Sequence, residues 1–116
     1  MMLSMTSFKF GQIVLVRFPF TDQRGGKQRP AVVISSTAYN QVRPDVILMA
    51  VTRRLQASVG WGEAVIQDWQ TAGLLKPSTL KPIVFTAEKT IVRKVLGVFG
   101  HRDQATLKTV IESIIG

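Results

Sequence analysis

The run Gln28-Arg29-Pro30-Ala31-Val32-Val33-Ile34-Ser35 constrains the fold more than any other part of the chain. Its small and β-branched residues, bounded by polar positions, predict a β-strand that is covered on both faces. Because proline disfavours helical backbone in the residue before it, Arg29 is expected to stay extended where this strand begins. A planar, always-charged guanidinium at the edge of a rigid core is suited to binding a phosphate or a carboxylate. The octet by itself also fits an ordinary solvated arginine at a strand start.

Further apolar, β-branched runs are separated by turn-forming residues. They predict strands over 13–18, 46–51, 63–66 and 79–85, and a strand or a turn followed by a strand over 90–99. Pro82 places its strand at a sheet edge or at a bulge, because proline cannot donate to a β-ladder.

Three other segments are expected to connect these strands. The polar, glycine-containing stretch 21–28 is predicted to be a mobile loop. The stretch 36–45 is predicted to be a connection whose last residues, Arg43-Pro44-Asp45, stop helix formation. Asp68 is expected to cap a brief helix through Ala72 that stops at Gly73.

The C-terminal segment has the clearest helical pattern. Its apolar residues recur at the spacing of one helix face, and they are Leu107, Val110, Ile111, Ile114 and Ile115. Asp103 is expected to be the N-cap. Five or six short strands and a closing amphipathic helix predict a small, strongly bent antiparallel barrel with a helical lid.

Composition limits the domain organisation and the partners. With 116 residues and 46% hydrophobic content, the chain is expected to form one domain, 1–116, with a loose tail over 1–9. Fifteen Lys and Arg against seven Asp and Glu give a net charge of +8, which favours a polyanionic partner such as nucleic acid or an acidic protein segment. A membrane is disfavoured because the apolar runs are short and interrupted, and the lack of a signal-peptide pattern favours a cytoplasmic protein. Zero cysteines exclude disulfides, and a lone histidine with scattered carboxylates leaves no tight zinc or copper site.

The order of these features resembles the PemK/MazF family of toxin-antitoxin ribonucleases. The likeness is carried by Gly11-Gln12-Ile13-Val14-Leu15-Val16 with Phe18-Pro19-Phe20, by the glycine-bearing loop ending in Lys27-Gln28-Arg29-Pro30, and by Met49-Ala50-Val51-Thr52. Its most specific part is the arginine-proline-apolar strand that is followed, one loop and one strand later, by an apolar strand closing on threonine.

The resemblance implies an SH3-like barrel, a symmetric homodimer, a cognate acidic antitoxin, and cleavage of single-stranded RNA without metal or cofactor. The products would carry a 2′,3′-cyclic phosphate and a 5′-hydroxyl. The family's catalytic pair corresponds to Arg29 and Thr52, and Ser78 lies where many relatives have a serine near the substrate groove. The chain departs from the family in two places. Many relatives have a glutamine-isoleucine-arginine run in the late strand, where this chain has Ile83-Val84-Phe85-Thr86. The loop 21–28 also lacks a glutamate that some relatives carry just before their arginine. Cleavage specificity and a carboxylate base in the loop therefore do not carry over.

Other basic and polar residues are candidates for binding the RNA around this pair. Arg24 and Lys27 lie beside two glycines, and the remaining RNA-binding candidates are Gln28, Arg53 and Ser78. Strand alternation would send Arg53 and Arg54 to opposite sides, so only one of the two is expected to face the RNA.

Some roles stay open on the sequence alone. Histidine is the side-chain type best suited to proton transfer near neutral pH, but His101 is expected to be a surface or helix-start residue, so the general base is unassigned. Trp61 and Trp69 fit base stacking or packing, with packing favoured for Trp69 by its apolar neighbours. Two other classes of function fit as well, namely a non-enzymatic gyrase inhibitor with the same barrel and a basic barrel that only binds nucleic acid.

Overall fold

The computed structural model describes residues 7–18 and 27–116 of the chain. In these residues there are six strands, two α-helices and a 3₁₀ turn. Their bounds are β1 Gln12–Phe18, β2 Lys27–Val33, α1 Thr37–Val42, β3 Asp45–Arg53, β4 Ala64–Val65, β5 Ser78–Glu88, the 3₁₀ turn Lys89–Ile91, β6 Val92–Val98 and α2 His101–Ile115. None of the described helices is long and apolar enough to cross a membrane.

All six strands belong to one antiparallel sheet in the order β4-β5-β3-β2-β1-β6. The predicted mainly-β fold with a closing C-terminal helix is confirmed. The sheet is not closed into a continuous barrel, since β4 and β6 stand at its two ends without pairing to each other in the described part of the chain.

Strand β2 is buried on both faces, as predicted. Val32 belongs to a core cluster with Ile13, Met49 and the α2 residue Leu107, whereas its neighbours on either side belong to a second cluster on the opposite face. Because side chains alternate across a strand, a continuous apolar run supplies both cores at once. Helix α2 covers the first face, so its apolar stripe is used within the chain.

The proline in β5 lies at an irregularity, which confirms the predicted bulge. The β3–β5 register shifts between Met49, which pairs with Val84, and Val51, which pairs with Leu80. Pro82 falls between these two pairs, where the absence of its amide hydrogen costs no ladder bond. The region 90–99 is also confirmed as a turn followed by a strand.

The structure adds one helix to the predicted elements and shortens one predicted loop. The connection 36–45 contains the short helix α1, which the sequence did not predict and which ends before Arg43-Pro44-Asp45 as expected. The helix forms because the Ser36 hydroxyl accepts from the Tyr39 amide and buried Asn40 donates to the carbonyls of Phe8 and Ser35. The loop before β2 is shorter than expected, since Lys27 and Gln28 already pair with β1, and its residues 21–26 lie outside the described residues.

Two expected helix caps were also wrong. Residues 68–72 form turns rather than a helix, and the carboxylate of Asp68 binds Arg102 instead of capping. Helix α2 begins at His101, so Asp103 lies inside it, where its carboxylate accepts hydrogen bonds from two backbone amides of a distant turn.

The predicted loose tail over 1–9 falls mainly on residues 1–6, which lie outside the described residues. Phe8, however, is only 6% exposed and packs in the second core cluster. Its carbonyl also accepts the Asn40 side-chain hydrogen bond, so the packed part of the chain begins before residue 9.

Candidate nucleic-acid site

Arg29 and Thr52 lie on the adjacent strands β2 and β3, each two residues beyond the last pair of the ladder between them. That last pair is Ala31 with Ala50, and the same register continued by two residues would put Arg29 across from Thr52. Arg29 shares the strand face of Ala31, and Thr52 shares that of Leu48, since alternate residues of a strand face the same way. Ala31 and Leu48 belong to the same core cluster, so the guanidinium and the hydroxyl emerge on one face of the sheet.

A groove of about 1050 Å³ opens at this end of the sheet. We call it the basic groove. Arg29 and Thr52 both line it, and so do the other predicted site residues in the described part of the chain, which are Lys27, Gln28, Arg53 and Ser78. The structure therefore brings six sequence-predicted residues to one depression. The seventh, Arg24, lies outside the described residues.

Two lysines that sequence reasoning missed also line the basic groove. Lys94 lies on β6 and pairs with Leu15 of β1, and Lys76 precedes the strand that begins at Ser78. A cation interrupting the apolar run of β6, and a Lys-Pro pair repeating the Arg29-Pro30 arrangement, were the available signals. With Lys27, Arg29 and Arg53 they make five cations, and no carboxylate is among the described lining residues.

Apolar side chains complete the walls of the basic groove. Leu55 is 76% exposed and Leu75 is 92% exposed, and Val95 is nearly half exposed. Exposed aliphatic groups beside cations suit a ligand with both charged and apolar parts, such as a nucleotide with its phosphate and base.

Arg29 is exposed, and its side chain makes no hydrogen bond or ion pair with any residue in the described ranges. The guanidinium is therefore not neutralised by a described carboxylate and keeps its donors for a ligand. Ser78 differs, because it is buried and its hydroxyl donates to the Lys76 carbonyl at 2.7 Å. Its hydroxyl oxygen can still accept, but its proton is used to hold the groove wall.

No group suited to accept a proton near neutral pH lines the basic groove among the described residues. His101 is exposed at the start of α2 and is not part of the lining. Glu63 shares a neighbouring cavity with Thr52, but its carboxylate binds the Lys81 ammonium at 2.5 Å and the Gly60 amide at 2.8 Å. These bonds, the one to Lys81 foremost, hold the pKa of Glu63 below its usual value, which makes it a poor base.

The two tryptophans lie away from the basic groove. Trp69 is half-buried and packs against the first core cluster, as the sequence favoured. Trp61 is 80% exposed and lines a separate depression against α2. In the described residues no group of three or more His, Cys, Asp or Glu side chains is placed to hold a metal ion.

Comparisons with known proteins give the family and the fold of the chain. A family model described as PemK-like, MazF-like toxin of type II toxin-antitoxin system matches residues 9–115. No curated protein sequence matches the chain significantly.

Solved structures share the fold at low sequence identity. An endoribonuclease from a mycobacterial species superposes with a TM-score of 0.75 at 15% identity, covering 98% of this chain and 96% of that chain. An endoribonuclease in complex with its cognate antitoxin, also mycobacterial, gives 0.76 at 15% identity, with 94% and 95% covered. MazE-MazF from Deinococcus radiodurans gives 0.71 at 21% identity, with 95% and 96% covered.

Proposed function

Because the chain belongs to the PemK-like, MazF-like toxins of type II toxin-antitoxin systems, we propose that it is an endoribonuclease that cleaves single-stranded RNA without a metal ion. The ribose 2′-hydroxyl attacks the adjacent phosphorus and the bond to the 5′-oxygen breaks, leaving a 2′,3′-cyclic phosphate and a 5′-hydroxyl. The observation that supports the proposal is that Arg29 and Thr52 both line one groove, which five cations line as well.

Arg29 is assigned to stabilise the charge that develops on the phosphate. Attack makes the phosphorus five-coordinate and concentrates negative charge on its non-bridging oxygens. A guanidinium offers paired donors in a planar fork that matches two such oxygens. The extended backbone before Pro30 fixes where this fork starts, so little reorganisation is needed when the charge appears.

Thr52 is assigned to donate its hydroxyl hydrogen to the same phosphate. Its β-branched side chain has few rotamers, which suits a donor that has to be positioned before the reaction. The remaining cations, together with Gln28, are assigned to the flanking phosphates and bases of the RNA. They would give the binding a strong salt dependence.

The proton of the 2′-hydroxyl is not assigned to a side chain. Arginine is a poor proton acceptor because its pKa is above about 12. The protein is therefore proposed to accelerate cleavage by positioning the phosphate and by stabilising its developing charge. Electrostatic stabilisation of this kind is usually the largest single contribution to an enzyme's rate enhancement.

The partners and the setting follow from the family. We propose a cognate antitoxin whose acidic segment lies across the basic groove, supported by the charge balance of the groove and by the antitoxin complexes among the structural neighbours. We also propose a symmetric homodimer and a cytoplasmic location, where single-stranded mRNA is accessible. Sedimentation of the purified chain tests the homodimer. Capture of RNA or antitoxin from cell extract tests the partners and the location.

The direct test is incubation of the purified protein with single-stranded RNA in excess chelator, with the ends of every fragment mapped. We expect discrete cuts with cyclic phosphate and 5′-hydroxyl ends from the wild type, and cutting at least about 100-fold slower from Arg29→Ala. Arg93→Ala is the matched control, since it removes an exposed arginine of β6 that is outside the basic groove and should leave cutting unchanged.

Two outcomes would replace this proposal. Tight, salt-sensitive RNA binding without any product would select a barrel that only binds nucleic acid. Stalling of gyrase on DNA with intact RNA would select the gyrase-inhibitor class. Unchanged cutting by Arg29→Ala would keep the enzyme but discard the assigned site.

A further inference from the structure

A second cavity adjoins the basic groove and has no assigned role. It has a volume of about 410 Å³ and lies between the end of β3, the segment 54–60 and β5. We call it the side cavity. Thr52, Arg53 and Leu55 line both it and the basic groove, so the two depressions meet around Arg53. Its volume lies within the range of small-ligand pockets.

The wall of the side cavity is held in place by Arg54. Its guanidinium donates from Nε to the Gln56 carbonyl, 3.0 Å away, and from a terminal nitrogen to the Ala57 carbonyl. Glu63 reinforces the same wall by accepting from the Gly60 amide. A wall fixed by its own side chains is preformed, which lowers the entropic cost of binding a ligand there.

Two cations of the side cavity are placed to contact a ligand. Arg53 is exposed, and its side chain makes no hydrogen bond or ion pair within the described ranges. The Lys81 ammonium, one third exposed, binds the Glu63 carboxylate, whose pKa is lowered mainly by that bond and so stays ionised at neutral pH. With Arg54 the cavity carries three cations against one carboxylate, a balance that favours an anion.

We propose that the side cavity binds the next nucleotide of an RNA chain that leaves the basic groove past Arg53. Arg53 contacts the phosphate at the junction, and Lys81 contacts the following phosphate. That phosphate either displaces the Glu63 carboxylate from the Lys81 ammonium or binds the ammonium beside it. The ligand class is a nucleotide with its backbone phosphate, because the cavity is continuous with the groove and adds cations along the same path. This inference rests on the proposed function for the identity of the polymer.

The proposal gives Glu63 a defined role as an internal competitor. In the free protein its carboxylate occupies the Lys81 ammonium that the RNA phosphate needs. Glu63→Gln keeps an oxygen for the Gly60 amide but removes the charge, so Lys81 becomes available and the like-charge repulsion of the phosphate disappears. Long RNA should then bind more tightly, whereas RNA confined to the basic groove should not.

The test compares two fluorescein-labelled oligouridylates by anisotropy, a trinucleotide that the basic groove can accommodate and a nonanucleotide that extends beyond it. Both carry 2′-O-methyl groups, so they lack the attacking hydroxyl and stay intact. We expect Lys81→Ala to weaken nonanucleotide binding about fivefold and to reduce its salt slope by about 0.7, and to change trinucleotide binding by less than about twofold. Glu63→Gln should strengthen nonanucleotide binding about threefold at the same trinucleotide affinity.

Two further variants separate this role from general charge and from structure. Lys108→Ala removes the same charge from α2 outside both depressions and should leave both oligomers unaffected. Lys81→Ala combined with Glu63→Gln removes the ion pair without leaving an unpaired carboxylate and should still lose the extra affinity for the nonanucleotide.

Equal effects of Lys81→Ala on both lengths, or no gain from Glu63→Gln, would overturn the inference. Because the readout is binding, these outcomes are independent of whether the protein cuts RNA. If binding shows the expected length dependence but the protein does not cut RNA, only the nuclease proposal is overturned.

Discussion

The carboxylate of Asp103 is buried and links helix α2 to a turn that is distant in the sequence. The residue is 1% exposed, and its two oxygens accept from the backbone amides of Gln67 and Asp68, each at 2.8 Å. Asp103→Asn keeps one acceptor oxygen and turns an amide NH₂ toward the other backbone donor. One hydrogen bond to a charged group is lost and one buried N–H is left unpaired, so we expect a loss of about 2–4 kcal/mol in the free energy of unfolding.

Urea denaturation followed by tryptophan fluorescence measures this loss. With a slope of about 1–3 kcal/mol per molar urea, the unfolding midpoint should fall by about 1–2 M at an unchanged slope. Asp68→Asn is the matched control, because its ion pair with Arg102 is solvent-exposed and should contribute under about 1 kcal/mol. Equal midpoints for Asp103→Asn and Asp68→Asn would refute the assignment of the Asp103 carboxylate as the anchor between α2 and the 67–68 turn.

Two further predictions concern stability elsewhere. The hydrogen bond from the Tyr39 hydroxyl, and then that from Arg43, lower the pKa of Asp45, so this stabilisation is present above the ordinary aspartate value of 3.8 and is lost as pH falls below it. The stability difference between wild type and Tyr39→Phe, measured by urea titration, should therefore be constant above about pH 5 and shrink in more acidic buffer; a difference that grows on acidification would contradict this. Gly97→Ala would put a methyl 2.3 Å from the Ala72 carbonyl oxygen, so its melting temperature should fall by about 8 °C or more, whereas Gly100→Ala, with open space around it, should melt within about 2 °C of wild type. Similar melting of the two alanine variants would rule out the close approach.

Elements with a strong local pattern were predictable from the sequence. The apolar run of β2 and the helical spacing from Leu107 onward reflect burial, which repeats with the period of the element itself. The Arg29-Pro30 and Thr52 positions were identified through the family resemblance, and in the structure Arg29 and Thr52 line the same groove.

Features that depend on contacts between distant residues were not predictable. Asp103 was expected to cap α2, but its carboxylate is used by amides that lie 35 and 36 residues away in the sequence. The short helix α1 depends in the same way on Asn40, which donates to the Phe8 carbonyl. Lys76 and Lys94 reach the basic groove only through the sheet order. This order brings β6, with Lys94, beside β1, and it brings β5, which Lys76 precedes, beside β3.

The most direct test of the account is a double-mutant cycle between Arg29 and Thr52, measured as kcat/KM for RNA cleavage in chelator. Arg29→Ala should lower kcat/KM about 10²–10³-fold. Thr52→Val, which keeps the shape of the side chain, should lower it about tenfold. If both groups act on one phosphate, Thr52→Val should have little further effect when Arg29 is already alanine, a coupling of about 1 kcal/mol or more. Fully multiplicative losses would show that the two residues act independently and would contradict the shared phosphate site.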